Sequence, residues 1–368
     1  MRSRKTWVKI DTKAYLENIK YFSEVLFPTK VMPVLKANAY GHGACALARK
    51  LEEMKIDYIA VAFLEEALEL RKNGIKIPIL VFNYFSEEYV EYFVKDNITA
   101  TIYCFEQVEN IESVFNRKKL NGRLKVHINV DTGMGRLGYK VDEALRLFEA
   151  VLHSPYFELE GVYTHFSDAD NIDSDYTFEQ SEKFKEFLNK IPEKPKIIHN
   201  CNSAASLFFR DLRLDYSRIG IASYGLQPSN MKKVESIKPV LSWYSVVSFV
   251  KEINPGDSIS YGRTFIAKNR MKVATIPVGY ADGYPRVLSN KGSVLIKGKR
   301  CKILGRVCMD QFVVDVSHLK NVKMGDEVVL IGKQGDDEIS AEEIAQLSGT
   351  INYEIVCGIS SRVPRIYS

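Results

Sequence analysis

Up to about residue 230 the chain alternates short apolar runs with longer stretches in which apolar side chains return every three or four positions. The runs at 7–10, 31–35, 58–62, 78–81, 100–103, 124–130, 159–164, 196–199 and 214–219 predict strands. The segments at 44–54, 64–73, 142–153 and 178–190 predict amphipathic helices between them. Repeated strand-helix units imply a parallel sheet covered by helices. Eight or nine such strands in this length suit a closed (β/α)8 barrel of the TIM type better than an open six-stranded sheet.

After Pro228 the texture changes to β-rich runs separated by Gly, Pro and Asn turns. Only residues 341–347 read as a helix there, with Ser340 and Glu343 spaced as a capping box. The expected organisation is therefore a barrel over residues 9–230 and a β-domain over residues 231–368, with the N-terminal residues 1–8 packing against the latter.

Composition narrows the function classes. With 46% apolar and 26% charged residues, the 368-residue chain is an ordinary folded protein rather than a disordered one. A surplus of 51 Lys and Arg over 46 Asp and Glu is too small and too dispersed to argue for nucleic-acid binding. No apolar run reaches the ~18 residues of a membrane span, and the basic start lacks the apolar core of a secretory leader, so the expected location is the cytoplasm. The six cysteines show no C-x-x-C spacing, which points to reduced, mostly buried thiols.

Chemically capable residues gather just beyond the predicted barrel strands: Lys36 and Asn38; Asp131 and Arg136; His165 and Asp168; His199, Asn200, Asn202 and Ser203; and Arg218. A barrel's active site lies at the C-terminal ends of its strands, so these positions would converge on one mouth. Gly133-Met134-Gly135-Arg136-Leu137-Gly138 matches the dinucleotide pattern G-x-G-x-x-G. That fingerprint usually opens a first βαβ unit, however, and an Arg on a Gly-flanked loop more naturally clamps a carboxylate or phosphate. His127 reads as a hydrogen-bonded interior histidine, and no ligand spacing suggests a bound metal. Arg117-Lys118-Lys119, before Asn121-Gly122, reads as an exposed turn flank and Asp336-Asp337-Glu338 as a solvated turn.

The segment Val34-Leu35-Lys36-Ala37-Asn38-Ala39-Tyr40-Gly41-His42-Gly43 resembles the pyridoxal-phosphate attachment site of bacterial alanine racemases. Asp131-Thr132-Gly133-Met134-Gly135-Arg136, Thr164-His165-Phe166, Asn202-Ser203-Ala204-Ala205, Arg218-Ile219-Gly220-Ile221, Ser260-Tyr261-Gly262, Gly279-Tyr280-Ala281-Asp282-Gly283, Cys308-Met309-Asp310-Gln311 and Asn352-Tyr353-Glu354 follow in that family's order. The resemblance spans nearly the whole chain.

It implies a pyridoxal-phosphate-dependent isomerase that interconverts L- and D-alanine through an aldimine and supplies D-alanine for peptidoglycan. Lys36 would carry the cofactor and act on the D-enantiomer, and Tyr261, presented across a homodimer interface, would act on the L-enantiomer. Tyr40, Ser203, Gly220, Ile221 and Tyr353 would hold the phosphate, with Asn202, His165 and His199 completing the cofactor site. Arg218 would face the pyridine nitrogen; as a permanent donor it leaves that nitrogen unprotonated, which favours proton exchange at Cα over transamination. Arg136 and the amide of Met309 would bind the substrate carboxylate, and Tyr280, Asp170, Arg286 and Arg306 match the outer passage, while Tyr353 narrows the entrance.

One position departs from the family pattern. Asn129 stands where many members carry a carbamylated lysine that braces the substrate-binding Arg, so a bound chloride, or the Asn oxygen alone, is expected to orient Arg136. A decarboxylase of the same architecture is disfavoured by Arg218, whereas a racemase for serine or a basic amino acid stays open. A nicotinamide-dependent oxidoreductase using the Gly133 to Gly138 loop is the alternative from another class.

Overall fold

The computed structural model describes residues 4–368, so the first three residues of the N-terminal 1–8 segment lie outside the described residues. Nine strands precede residue 220: β1 (Trp7–Ile10), β2 (Lys30–Pro33), β3 (Ile59–Val61), β4 (Ile79–Val81), β5 (Ile98–Ile102), β6 (Leu124–Asn129), β7 (Phe157–Tyr163), β8 (Ile197–His199) and β9 (Tyr216–Ile219). Strands β2 to β9 form an eight-stranded parallel sheet in the order β2-β9-β8-β7-β6-β5-β4-β3. A parallel bridge between Val34 and Ala60, with Leu35 N donating to Ala60 O at 2.8 Å, joins its two edges. The expected (β/α)8 barrel is thus observed.

The intervening helices form because their apolar residues fall on one stripe. In Val141–His153 the buried set is Ala144, Leu147, Phe148 and Val151, the three-and-four spacing of a helix laid on a sheet. Another buried cluster includes Phe22, Leu26, Val31, Ile219 and Ala222.

The ninth strand, β1, belongs elsewhere: it pairs antiparallel with Leu241–Val246 and parallel with Arg365–Tyr367. These lie in a ten-stranded, largely antiparallel sheet of the β-rich unit. Two compact units result among the described residues, one of residues 16–39 and 43–237, the other of residues 4–15, 40–42 and 238–368.

Three sequence expectations are corrected. The β-rich unit holds a second helix, Asn352–Cys357, whose one turn and a half is too short to show periodicity. Asp337 and Glu338 are not a solvated turn but part of a strand, Asp337–Ile339, paired with Gly332 to Gln334, and Asp337 accepts from Arg300 Nε at 3.1 Å. All six cysteines are free, yet only Cys201 and Cys301 are buried. Arg117 and Lys118 close the helix Phe105–Lys118, with Lys119 as its left-handed cap.

Candidate active site

Lys36 follows β2 and opens a short turn in which Ala37, Asn38, Ala39 and Tyr40 all take positive φ, between 51 and 55°. Left-handed backbone costs non-glycine residues roughly 1–2 kcal/mol each and normally occurs singly, so this run needs external restraint. Glu66 provides it: one carboxylate oxygen accepts from Ala37 N at 2.6 Å, the other from Ala62 N at 2.7 Å and Phe63 N at 3.2 Å. Asn38 Oδ1 accepts from Ala44 N at 2.8 Å, tying the far side of the turn to the next helix. The lysine is therefore carried on a strained but doubly fastened loop.

Arg218, on β9, is 3% exposed. Nη1 meets His199 Nδ1 at 2.7 Å, and Nη2 meets Thr164 O at 2.8 Å, Asn200 O at 2.9 Å and His165 Nδ1 at 3.1 Å. None of these bonds uses Nε. The guanidinium also lies over the Tyr163 ring, 5.2 Å from its centroid. Burial lowers the Arg218 pKa to about 10, below the sequence expectation but still protonated at neutral pH. His165 is driven well below the usual imidazole range, first by burial and then by Arg218, Arg136 and Lys36. Three cations thus surround one imidazole without a carboxylate among these influences, which suits the site to an anionic ligand.

The loop after β6 carries Arg136, which is exposed. Asp131 Oδ1 accepts from Gly133 N and Gly135 N, both at 3.0 Å. A Cβ on Gly133 would fall 2.3 Å from the Tyr176 hydroxyl, and one on Gly138 2.4 Å from Asn129 O. The glycines of the G-x-G-x-x-G motif are thus explained by tight loop packing. Asn129 is buried and donates through Nδ2 to Leu137 O at 3.2 Å.

Asn202 caps the helix Ser203–Phe208 by accepting from Ala205 N at 3.0 Å, and donates to Phe166 O at 3.1 Å. Ser203 Oγ accepts from Gly220 N at 3.0 Å, placing this hydroxyl beside the Gly220 to Ile221 backbone where the turn Ile221–Tyr224 begins. Asp170 is exposed on the loop after β7.

In the β-rich unit, the rings of Tyr40 and Tyr353 pack with centroids 6.0 Å apart. Tyr261 stands 71% exposed on the turn Tyr261–Arg263, preceded by Ser260 at φ 64°. Ser260 Oγ donates to Arg306 O at 2.7 Å, anchoring this turn. Met309 is half exposed on the turn closed by Cys308 N to Gln311 O at 3.0 Å. Tyr280 is bound to it: Tyr280 N donates to Cys308 O and Ala281 N to Met309 O, both at 3.0 Å. Glycine is required at 279, where a Cβ would lie 2.2 Å from Met309 O. Arg286 is exposed on the neighbouring turn Arg286–Leu288.

Residues 10–228 match the family model described as alanine racemase, N-terminal domain, and residues 240–367 match alanine racemase, C-terminal domain. The chain belongs to the alanine racemase family. It is 45% identical to the alanine racemase of Halothermothrix orenii over 99% of this chain and 97% of that one. The alanine racemase of Methanococcus maripaludis is 44% identical over the whole of both chains. Among solved structures, the alanine racemase from E. faecalis superposes with a TM-score of 0.95 at 37% identity, covering 100% of this chain and 99% of that one. The alanine racemase from Bacillus anthracis with bound L-Ala-P gives 0.94 at 39% identity, covering 100% and 96%. The family resemblance, the barrel followed by a β-rich domain, and the assignment to the isomerases are therefore established.

Alanine racemase motifs in the sequence led to Lys36, Arg136 and Arg218, and to His165 and His199 that contact Arg218, but not to Glu66 beside the Lys36 turn or to Glu160 beside His127. Glu66 had no distinguishing signal beyond its place at the start of a helix. Glu160 was hidden by a β-bulge: Val126 pairs with Leu159 but His127 with Gly161, so Glu160 is the extra residue of β7. An unbroken alternation would assign its neighbours' faces incorrectly.

Proposed function

We propose that this chain binds pyridoxal phosphate through Lys36 and interconverts L- and D-alanine as a homodimer in the cytoplasm, the D-alanine serving peptidoglycan synthesis. The observation that carries the reading is Arg218: a buried guanidinium held by two carbonyls and two imidazoles, with Nε outside these bonds. Such a group fits a neutral ring nitrogen as acceptor. The cationic surroundings of His165 likewise fit a phosphate and a substrate carboxylate.

When bound, pyridoxal phosphate acidifies the Cα proton of an attached amino acid. The protein's residues then divide the work. Ser203, Gly220, Ile221, Tyr40 and Tyr353 would hold the phosphate, and Asn202 caps the helix that Ser203 opens. Arg218 would donate to the ring nitrogen and, keeping its own proton at neutral pH, would leave that nitrogen unprotonated, which favours proton exchange at Cα over transamination. His199 and His165 hold Arg218.

Inversion at Cα needs proton removal on one face and delivery on the other. Lys36 serves the D-face and Tyr261 of the partner subunit the L-face. A tyrosine is a weak base near neutral pH, and the Arg218 guanidinium, in contact with the neutral His165, would supply the positive charge that favours its phenolate. Arg136 and the Met309 amide bind the substrate carboxylate; chloride beside Asn129 orients Arg136, since the neutral amide supplies no charge. Tyr280, Asp170, Arg286 and Arg306 line the outer passage. Tyr353 narrows the site in favour of alanine, although each excluded methylene is worth only ~1–3 kcal/mol.

The deciding experiment incubates the protein with L-alanine in deuterated water, with and without pyridoxal phosphate. D-alanine deuterated at Cα should form only with the cofactor; its absence, or faster exchange of serine or lysine, would reject the assignment to alanine. Lys36→Ala should abolish both the visible chromophore of the bound cofactor and the exchange. Restored growth of a strain dependent on added D-alanine would check the peptidoglycan role.

A further inference from the structure

Two imidazoles connect Arg218 with a carboxylate inside the barrel. Arg218 Nη1 lies 2.7 Å from His199 Nδ1 and His199 Nε2 lies 2.9 Å from His127 Nδ1, while His127 Nε2 faces Glu160 Oε2 at 3.5 Å, an ion-pair distance longer than the two hydrogen bonds before it. The same oxygen accepts from Tyr58 OH at 2.7 Å and Thr99 Oγ1 at 3.1 Å. Both imidazoles are fully buried. Tyr163 stacks on His199 with centroids 4.7 Å apart, and the Tyr58 ring lies 5.8 Å from that of His127.

Chemistry at the two ends fixes every proton between them. A guanidinium only donates, so His199 Nδ1 must accept and His199 Nε2 must carry hydrogen. That hydrogen makes His127 Nδ1 an acceptor and leaves its own hydrogen on Nε2, facing a carboxylate. All the contacts therefore point one way, from Arg218 to Glu160. Turning either ring to the other tautomer, or protonating His127, would set donor against donor at a buried contact. Burial, followed by Arg218 for His199 and opposed by Glu160 for His127, keeps both rings below their usual pKa.

We propose that Glu160 is a positioning residue that, as terminal acceptor, holds His127 and His199 in their Nε2–H forms and so fixes Arg218 as a hydrogen-bond donor. Its consequence for the reaction rests on the reading of Arg218 given above; the tautomers themselves do not. The bulge in β7 is what makes the arrangement possible, because it inserts Glu160 opposite the step from Val126 to His127.

The test is 15N NMR of the cofactor-loaded protein labelled at histidine. Both rings should be neutral, carry hydrogen on Nε2 and remain so from pH 6 to 9; an Nδ1–H ring, or titration of either ring in that interval, overturns the proposal. Glu160→Leu removes the acceptor and should release His127 to the other tautomer, shift the visible spectrum of the bound cofactor and lower kcat roughly ten- to hundredfold with KM for alanine unchanged. Glu160→Gln, which restores an acceptor oxygen, should recover most of kcat. A folded Glu160→Leu protein with unchanged ring shifts and kcat overturns the proposal, and if that variant does not fold, the spectrum of the unsubstituted protein decides alone. Correct tautomers without exchange at alanine Cα would reject the assigned reaction but support this arrangement; wrong tautomers with normal racemisation would do the reverse.

Discussion

Gly161 lies directly against His127. The two residues pair across β6 and β7, and a Cβ built on Gly161 would come within 2.8 Å of the His127 ring and 2.7 Å of Ile197 O. Neither neighbour can yield easily: one is backbone, the other a fully buried ring held by His199. Gly161→Ala should therefore destabilise the fold by about 1–3 kcal/mol, the usual cost of overpacking, read as a lower midpoint in urea unfolding. Ring displacement should also disturb the contact with His199. A variant with an unchanged midpoint would show that β7 is not pressed against His127.

The two-base arrangement predicts unequal effects on the two enantiomers. Tyr261→Phe should suppress Cα-proton exchange from L-alanine more than from D-alanine, by at least about tenfold if the phenol contributes as a general base. Equal losses in both directions would count against separate roles. Tyr261 is 71% exposed in the single chain, as a residue serving a partner subunit would be. Mixing inactive Lys36→Ala and Tyr261→Phe chains should accordingly restore part of the activity; no recovery after verified subunit exchange would mean that each chain supplies its own tyrosine.

Acid should destabilise the protein before it protonates most carboxylates. His127, His165 and His199 have folded pKa values below the 6.5 of the free imidazole, so the unfolded chain takes up protons that the folded one refuses. Stability then falls as pH drops through 6.5, by up to ~1.4 kcal/mol per pH unit for each ring. Burial alone would raise Glu160, but bonds from His127 and Tyr58 outweigh it and bring it to about 2 from 4.5, so its contribution is present above 4.5 and is lost as pH approaches 2. Both effects share a sign. Urea midpoints at pH 7.5 and 5 should differ by roughly 2–6 kcal/mol of stability; equal midpoints would mean that the three rings charge without cost in the folded state.

How far the sequence reveals this molecule depends on the range of the interaction involved. Strand-helix alternation is local, and it located all eight barrel strands to within a few residues. Lys36 and Arg218 were visible because a charged residue beside an apolar strand demands a reason, and Arg136 because it stands on a Gly-flanked loop. His199 and His165, which hold Arg218, came with the family motifs, but Glu66 and Glu160 did not. Glu66 reaches back 29 residues to Ala37, and Glu160 reaches His127 only because a bulge shifts the register. The four alternating residues of β1 suit either sheet by pattern alone, and the register with Leu241–Val246 is set by tertiary contact. Pairing partners and bulges are set by tertiary contact, and no periodicity in one chain encodes them.

Asn129 yields the last prediction. Its Nδ2 is committed to Leu137 O, and it sits at the end of β6, where the loop carrying Arg136 begins. That loop is braced internally, by Asp131 to Gly133 and Gly135, rather than through the guanidinium. Arg136 therefore needs a counter-charge from outside the Asn129 amide if it is to hold one orientation for a substrate carboxylate. Replacing chloride in the buffer with gluconate at constant ionic strength should raise KM for alanine several-fold and leave kcat within about twofold, the pattern of lost substrate binding. Asn129→Asp would place a carboxylate at the same position and should remove the dependence on chloride. A KM insensitive to chloride in the unsubstituted protein would mean that the Asn129 oxygen orients Arg136 by itself.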